Sequence, residues 1–447
     1  MSTVVDDTAV ASCDVLVVGG GPAGSTAAAL LARQGRSVVL VEKTHHPRFH
    51  IGESLLPANV KLFDQLGLRS ELERIGITKW GIEFISTEHA HSSFLEFGDA
   101  WDKTMPYAWQ VRRSVLDEIL FRHAAASGAQ ALEGCRITQV EFDDAGVSAR
   151  AVMQDGTPRR WRARYLLDAS GRDTLLAAKM GLKRKNDAHG SAAIFGHFRN
   201  AQRLQGRLEG NISIFWFDHG WFWFIPLADG STSVGAVCWP YYLKSRDKPL
   251  REFFADTIAL APSLEHRLRG ATLIDDMVYA TGNYSYASTR ACGERHALLG
   301  DAFAFIDPVF SSGVYFAMRS AFAGAELVAT ELDRPSEAPA ARRRYSELAN
   351  KGPQEFSWFI YRMTNPAMRQ LFMHPGNPLR VKEAVLSLLA GDIHDRTPIW
   401  RSLWLFKAIY YMTWLGNAPT AWRAWRARRR NIAQIGAIKG ENVLVES

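Results

Sequence analysis

Val15-Leu16-Val17-Val18-Gly19-Gly20-Gly21-Pro22-Ala23-Gly24 is the stretch that decides the fold. Four apolar, mostly β-branched residues predict a buried parallel strand. A glycine-rich turn follows, and Pro22 opens a helix. Gly19, Gly21 and Gly24 carry the spacing G-x-G-x-x-G. The first glycine allows a tight turn, the second lets a pyrophosphate approach the backbone, and the third lets helix and strand pack. The helix that starts at Pro22 offers the free N–H groups that follow it, from Ala23 on, and partial positive charge to phosphate oxygens. Ala28 and Gly35 continue the run of small residues. A second strand, Ser37–Val41, ends at Glu42 and Lys43, about 20 residues beyond the turn, where a carboxylate can take ribose hydroxyls. The pattern specifies a dinucleotide and leaves NAD and FAD open.

A chain of 447 residues is too long for one simple core, so two or three lobes are expected. Hydrophobic residues make up 47% and charged residues 22%, the balance of an ordinary globular enzyme. Cys13, Cys135, Cys238 and Cys292 are far apart, which argues against zinc and a disulfide framework and predicts a reducing, cytoplasmic setting without a bound metal. The first dozen residues lack a basic n-region and an apolar h-region and read as a loose tail. No apolar run approaches the roughly 18 residues of a spanning helix. The formal charge is +7, and Arg423, Arg426, Arg428, Arg429 and Arg430 crowd one C-terminal stretch.

Outward from the first turn, Pro47–Pro57 reads as a loop entering a helix that Ser54 caps, with Gly52 and Glu53 before it. Two short helices follow to about Ile75, and Thr78–Phe84 enters a strand. A helix starts within Gln110–Asp117, strands recur at 136–142 and 147–153, and Tyr165–Asp168 is a buried strand ending in the small-residue turn Ala169-Ser170-Gly171. Residues 191–238 read as antiparallel sheet rich in aromatics. His296–Leu299 is another buried strand, ending at Gly300-Asp301. A long helix runs from about Val314 to Leu332, and the remainder is mostly helical, with Trp400, Trp404, Trp414, Trp422 and Trp425. The fold class is therefore α/β: a Rossmann-like nucleotide lobe (13–45, 100–180 and 285–332), an inserted substrate lobe with antiparallel sheet (46–99 and 181–284), a helical C-terminal region (333–447) and a tail (1–12).

The nucleotide theme returns near Arg113, Asp168 and Gly300, and this recurrence resembles the FAD-binding fold of the para-hydroxybenzoate hydroxylase type. The resemblance implies that Arg113, followed by Asp117, contacts the flavin chain. It implies that Gly300-Asp301 meets the ribityl and pyrophosphate portion, and that Asp168 through Gly171 forms a third cofactor motif. A second G-x-G-x-x-G that could hold NAD(P)H is absent, so a separate NAD(P)H-dependent flavin reductase is expected to supply reduced FAD.

Two further stretches narrow the class. Gly220–Pro226 contains W-x-W-x-I-P at Trp221, Trp223, Ile225 and Pro226. Phe305–Gly313 contains F-x-x-P-x-x-S-x-G at Phe305, Pro308, Ser311 and Gly313. With the first motif and Gly52-Glu53-Ser54, they are similar to the flavin-dependent halogenases over residues 14–332. The resemblance implies that FADH2 and O2 give a flavin C4a-hydroperoxide, that chloride or bromide held at Ser312 and Gly313 is oxidised to hypohalous acid, and that this oxidant travels to a catalytic lysine. Lys79, in the K-x-G-x-x-F context Lys79–Phe84, matches that lysine. Its ammonium can hydrogen-bond hypohalous acid, and its amine can form a haloamine; burial would lower its pKa. The tryptophans would keep substrate from the flavin or simply fill the sheet's core. Halogenases of free tryptophan carry a glutamate where this chain has Phe310, and the sequence is closer to the branch acting on phenols and pyrroles, often on carrier proteins, in secondary metabolite biosynthesis. An FAD monooxygenase that hydroxylates an aromatic ring and a geranylgeranyl-reductase-like flavoprotein are the alternatives. For the Trp/Arg-rich C-terminal region three roles stay open: a core-filling cap, a dock for an acidic carrier protein, or peripheral membrane contact. No nucleic-acid motif accompanies the charge.

Overall fold

Val15–Val18 is the inner half of a nine-residue strand, β1 (Val10–Val18). The turn passes the chain to α1 (Pro22–Arg33) and then to β2 (Val38–Val41), parallel to β1 with Val15 beside Val38. Residues 10–12, expected in the tail, belong to β1 because they pair with Arg160–Arg162. The structure, a computed structural model, describes residues 10–186, 190–282, 285–394 and 397–417, with Trp422, Arg423, Arg426, Arg429 and Arg430. Expectations on residues 1–9, Trp425 and Arg428 lie outside the described residues.

From β2 the chain leaves the sheet for α2 (Pro57–Leu66), α3 (Arg69–Ile75), β3 (Gly76–Lys79), β4 (Gly81–Ser86), β5 (Ser93–Glu96) and β6 (Ala108–Val111). Ser54 does not cap α2: the cap position is Leu56, whose N–H donates to Asn59 Oδ1 at 3.1 Å. The chain returns through α4 (Arg113–Ala126), β7 (Gln130–Leu132), β8 (Cys135–Asp143), β9 (Gly146–Met153), β10 (Pro158–Asp168) and α5 (Leu175–Lys179). A second excursion holds β11 (Lys183–Lys185), β12 (Ala192–Arg199), β13 (Ile212–Phe217), β14 (Gly220–Pro226) and β15 (Thr232–Cys238). It continues through α6 (Pro240–Lys244), α7 (Leu250–Ala259), α8 (Pro262–Arg267), β16 (Thr272–Leu273) and β17 (Tyr279–Thr281). The chain then forms β18 (Tyr286–Ser288), β19 (Cys292–Gly293), β20 (His296–Leu298) and β21 (Ala304–Phe305). Helices α9 (Gly313–Asp333), α10 (Ala338–Ile360), α11 (Pro366–Met373), α12 (Val381–Ala390) and α13 (Trp400–Gly416) complete it.

Two large sheets result. In the first, the order is β19-β20-β10-β1-β2-β7, with β9 and β8 continuing beyond β10. Its centre, β20-β10-β1-β2-β7, is parallel. Such strands are covered on both faces, which is why they read as unbroken Val/Leu runs; α1 packs against α9 and α4 beside them. In the second sheet, β16-β12-β15-β14-β13-β4-β5, every pairing is antiparallel except β13 with β4. The period of two sorts its aromatics. Along β14, Trp221, Trp223 and Ile225 join the core beneath the C-terminal helices, while Phe222 and Phe224 pack with Phe253, Phe254 and Leu264 of α7 and α8. Lys79 sits at the end of β3, where β3 pairs with β6 and the chain crosses into β4.

Candidate cofactor cavity and active site

A cavity of about 570 Å³ runs from the β1–α1 turn to the inner face of the second sheet. At its first end the walls are mostly backbone. A Cβ on Gly19 would lie 2.2 Å from Ala169 O, and one on Gly24 would lie 1.9 Å from Gly19 O. The turn is therefore pressed onto the neighbouring strand and its own helix, and only glycine fits. Gly20 N–H donates to Glu42 Oε2 at 2.8 Å, and Thr44 N–H and hydroxyl donate to Oε1 at 3.1 and 2.8 Å. Burial would raise the Glu42 carboxyl, but Arg48 at 3.6 Å and these donors hold it below the usual range, so it stays ionised against the turn.

Along one side, Arg113 closes a fork on Asp117 at 2.9 and 3.1 Å and donates to Ile51 O at 2.8 Å. Asp117 is fully buried; that would raise its pKa, but Arg113 outweighs burial and holds it low. Arg48 lies 3.6 Å from the same carboxylate, so one acid orients two guanidinium groups. His50, beside them, shares a hydrogen bond between Nδ1 and Ile51 O at 2.7 Å, and burial with the adjacent Arg113 pushes its imidazole down to about 4. Opposite, Asp301 opens onto the cavity but is shielded from bulk water, which pushes its carboxyl up to about 6 against the pull of Arg113 and Arg172. These residues fit FAD. The helix start is free, the turn admits a pyrophosphate against backbone, and the cavity is long and lined by cations and carboxylates at its polar end.

The far end is made of side chains. Trp221, Trp223 and Ile225 line it from β14, and Trp223 Nε1–H donates to Ser233 Oγ at 3.1 Å. Glu53 lines it too, bonded to His197 Nε2 at 2.6 Å, which ties the loop before α2 to β12. Gly313, the first residue of the 21-residue α9, faces the cavity, and a Cβ there would meet nothing within 4 Å. Its N–H lies in the first turn, where no helical acceptor exists. Behind Ser54, Lys79 is only 1% exposed, and its Nζ donates to Ser54 Oγ at 3.0 Å and Leu55 O at 3.1 Å. Phe97 supplies a ring face 5.2 Å away. Burial pushes the Lys79 ammonium down to about 7. Trp80 and Gly81 N–H both donate to Asn211 Oδ1 at 2.8 Å, which fixes the crossing from β3 to β4.

Of the expected site residues, Gly19, Gly21, Pro22, Ala23, Glu42, Lys43, Gly52, Glu53, Ser54, Arg113, Gly171, Asp301, Pro308 and Gly313 line this cavity with the β14 aromatics. Gly24, Asp168, Gly300, Ser312, Pro226 and Lys79 do not. Gly24 packs helix on turn. Asp168, expected against the cofactor, instead accepts Ser170 N–H at 3.0 Å and Leu176 N–H at 2.7 Å, and shapes the turn from behind. Gly300 packs against Ala317 and donates its N–H to Ser320 Oγ at 2.9 Å. Ser312 is buried one step behind Gly313, and Pro226 ends the strand. Arg48 and His50 fall inside the loop expected at residues 47–57, where the sequence assigns them no part, and His197 falls inside the expected antiparallel sheet. A basic residue before Gly52 was the available signal for Arg48; His197 carries none. Among the described residues, no group of three His, Cys, Asp or Glu side chains is arranged to hold a metal.

A family model described as FAD binding domain matches residues 12–338. The flavin-dependent halogenase rdc2 of Metacordyceps chlamydosporia is 35% identical over 412 residues, covering 86% of this chain and 76% of that protein. The tryptophan 2-halogenase of Chondromyces crocatus is 36% identical over 352 residues, covering 75% of this chain; the chain spans 65% of that protein's length. Among solved structures, the myxobacterial chondrochloren halogenase CndH superposes with a TM-score of 0.76 at 29% identity, covering 91% of this chain and 97% of that one.

Proposed function

The chain belongs to the flavin-dependent halogenases, FAD-dependent oxidoreductases built on the FAD-binding fold, and from that premise we propose that it halogenates an electron-rich phenol or pyrrole by delivering hypohalous acid to Lys79. The observation that carries this reading is the fully buried Lys79, held one hydrogen bond behind the cavity-lining Ser54. When bound in reduced form with O2, FAD supplies the chemistry that converts chloride or bromide into hypohalous acid. Everything else falls to the protein. Gly313 N–H and the dipole of α9 favour an anion at the cavity's end. Trp221 and Trp223 line that end, and in this reading their bulk keeps an aromatic ring away from the flavin.

At Lys79 the low pKa provides free amine near neutrality. That amine can attack the halogen of hypohalous acid, forming N–X, breaking O–X and releasing water after one proton transfer. The N–X bond then passes X⁺ to the ring, and the ring's displaced proton returns to the nitrogen. Phe310, at the position that would bear a carboxylate in a tryptophan halogenase, is buried against Phe356 and Phe372 with ring centroids 6.3 and 6.4 Å away. A phenol or pyrrole is electron-rich enough to react without that carboxylate. Flavin-dependent halogenases take reduced flavin from a separate reductase, and the aryl substrate is offered free or on an acidic carrier protein.

The test supplies purified enzyme with reduced FAD, O2 and bromide or chloride, and offers phenols and pyrroles both free and carrier-loaded. Mass spectrometry should find halogenated product that requires halide. Product that gains oxygen instead, at the same rate without halide, would overturn the halogenase chemistry in favour of direct hydroxylation.

A further inference from the structure

Helix α13 is apolar on two opposite faces. Leu403, Phe406 and Tyr410 are buried on one side, where α13 packs against α11 and α12. On the other side Trp404, Ala408, Tyr411 and Leu415 follow the spacing i, i+4, i+7, i+11 and form one stripe. That stripe is in solvent: Trp404 is 74% and Leu415 64% exposed, and Met412 beside it is 61% exposed. An outer face this apolar is abnormal for a helix whose only task is to cover a core.

Charge says what covers it. Residues 397–440 contain eight Lys and Arg and no Asp or Glu. Arg423, Arg426, Arg429 and Arg430 are exposed, and the Arg426 guanidinium stacks over the exposed Trp422 ring at 3.4 Å. Among the described residues no helix is long and apolar enough to cross a membrane. A convex stripe of Trp, Tyr, Met and Leu beside an acid-free basic segment matches the layered chemistry of a lipid surface: rings and chains enter the headgroup boundary, and guanidinium groups meet phosphate. A folded acidic partner would meet the charge but would need a groove for protruding side chains; here the apolar groups stand out from a single helix. We propose that α13 and the basic residues after it dock the enzyme on an anionic phospholipid surface, with α13 lying in the plane of the interface. α13 packs on α11, and Phe372 of α11 lies against Phe310 in the turn before α9, so the docked helix is one helix removed from the Gly313 end of the cavity.

The test is co-sedimentation of the full chain with vesicles of neutral phosphatidylcholine alone, and with 30 mol% phosphatidylglycerol, a composition chosen for the assay. Binding should be at least about tenfold stronger to the anionic vesicles and should weaken with salt. Trp404→Ser with Leu415→Ser should cut binding about tenfold or more with an unchanged thermal melt, and Arg423→Gln, Arg426→Gln, Arg429→Gln and Arg430→Gln together should abolish the preference for anionic lipid. Failure of the wild-type chain to sediment with anionic vesicles overturns the proposal. So does a dimer that the Trp404/Leu415 variant dissolves, which would give the face to a second copy, or capture by an acidic carrier protein with no vesicle binding.

Discussion

The two ends of the cavity are built from different materials. At the first end the contacts are main chain: Gly19 against Ala169 O, Gly20 N–H on Glu42, free N–H groups at the start of α1. At the far end they are mostly side chains brought from distant parts of the chain: Glu53, Ser54, Trp221 and Trp223, with Lys79 one hydrogen bond behind Ser54 and the Gly313 N–H at the head of α9. Backbone recognition suits a cofactor shared by many enzymes. A side-chain chamber suits chemistry particular to one class. The two ends should therefore fail separately, and the largest expected effect is at Lys79. Lys79→Ala should lower halogenated product at least about a thousandfold, on the order of 4 kcal/mol in the barrier, while FAD affinity and the oxidation of reduced FAD by O2 stay within about threefold. Loss of FAD binding in that variant would mean that the two ends are not independent.

The same lysine should also cost stability. Its folded pKa is about 7 against an unfolded value near 10.5. Between those values the unfolded chain holds a proton that the folded chain has released. Unfolding free energy therefore falls as pH drops from about 10.5 to about 7 and is flat in this contribution below that. Lys79→Met removes the penalty without emptying the site. At pH 7 it should be more stable than wild type, by on the order of 4 kcal/mol, and the gap should shrink toward pH 10 in urea unfolding. An inactive but stabilised variant is the mark of a residue kept for chemistry.

The backbone end breaks in the opposite sense. Gly24→Val places side-chain carbons where Gly19 O already stands, and it should weaken FAD binding at least about a hundredfold, roughly 2.7 kcal/mol. Halogenation should disappear in parallel and return in proportion at FAD concentrations high enough to fill the site. No excess of FAD should restore Lys79→Ala.

This difference also decides how much could be read from the sequence. A glycine turn advertises itself because its conformation restricts residue type within ten consecutive positions, so β1, the turn, α1 and Glu42 were legible at once. Asp168 was legible as important but not for its actual contact: a carboxylate that holds the turn's N–H groups looks the same in sequence as one that faces a ligand. The alternation in Gly220–Pro226 announced a strand, yet only the packing shows that Trp221 and Trp223 face the cavity while Phe222 and Phe224 face α7 and α8. The Glu53–His197 bond, 144 residues apart in the chain, has no local signature. Lys79 was singled out by resemblance, and its burial is a property of the assembled sheets.

The smallest effect concerns the lining of the far end. Trp223→Phe keeps an aromatic ring but removes the indole N–H that donates to the buried Ser233 hydroxyl. The lost bond costs about 1 kcal/mol, a fall of roughly 2–4 °C in melting temperature for a chain of this size or somewhat less. If the tryptophans serve mainly as packing, halogenation and the yield of free hypohalous acid should be unchanged, since Trp221 and the substituted ring still close the gap. Free hypohalous acid is read by halogenation of an added small trap. If it rises in Trp223→Phe as far as in Lys79→Ala, the indole is part of the route by which the oxidant reaches the lysine, and the boundary between cofactor end and reaction end then lies at β14 instead of at Ser54.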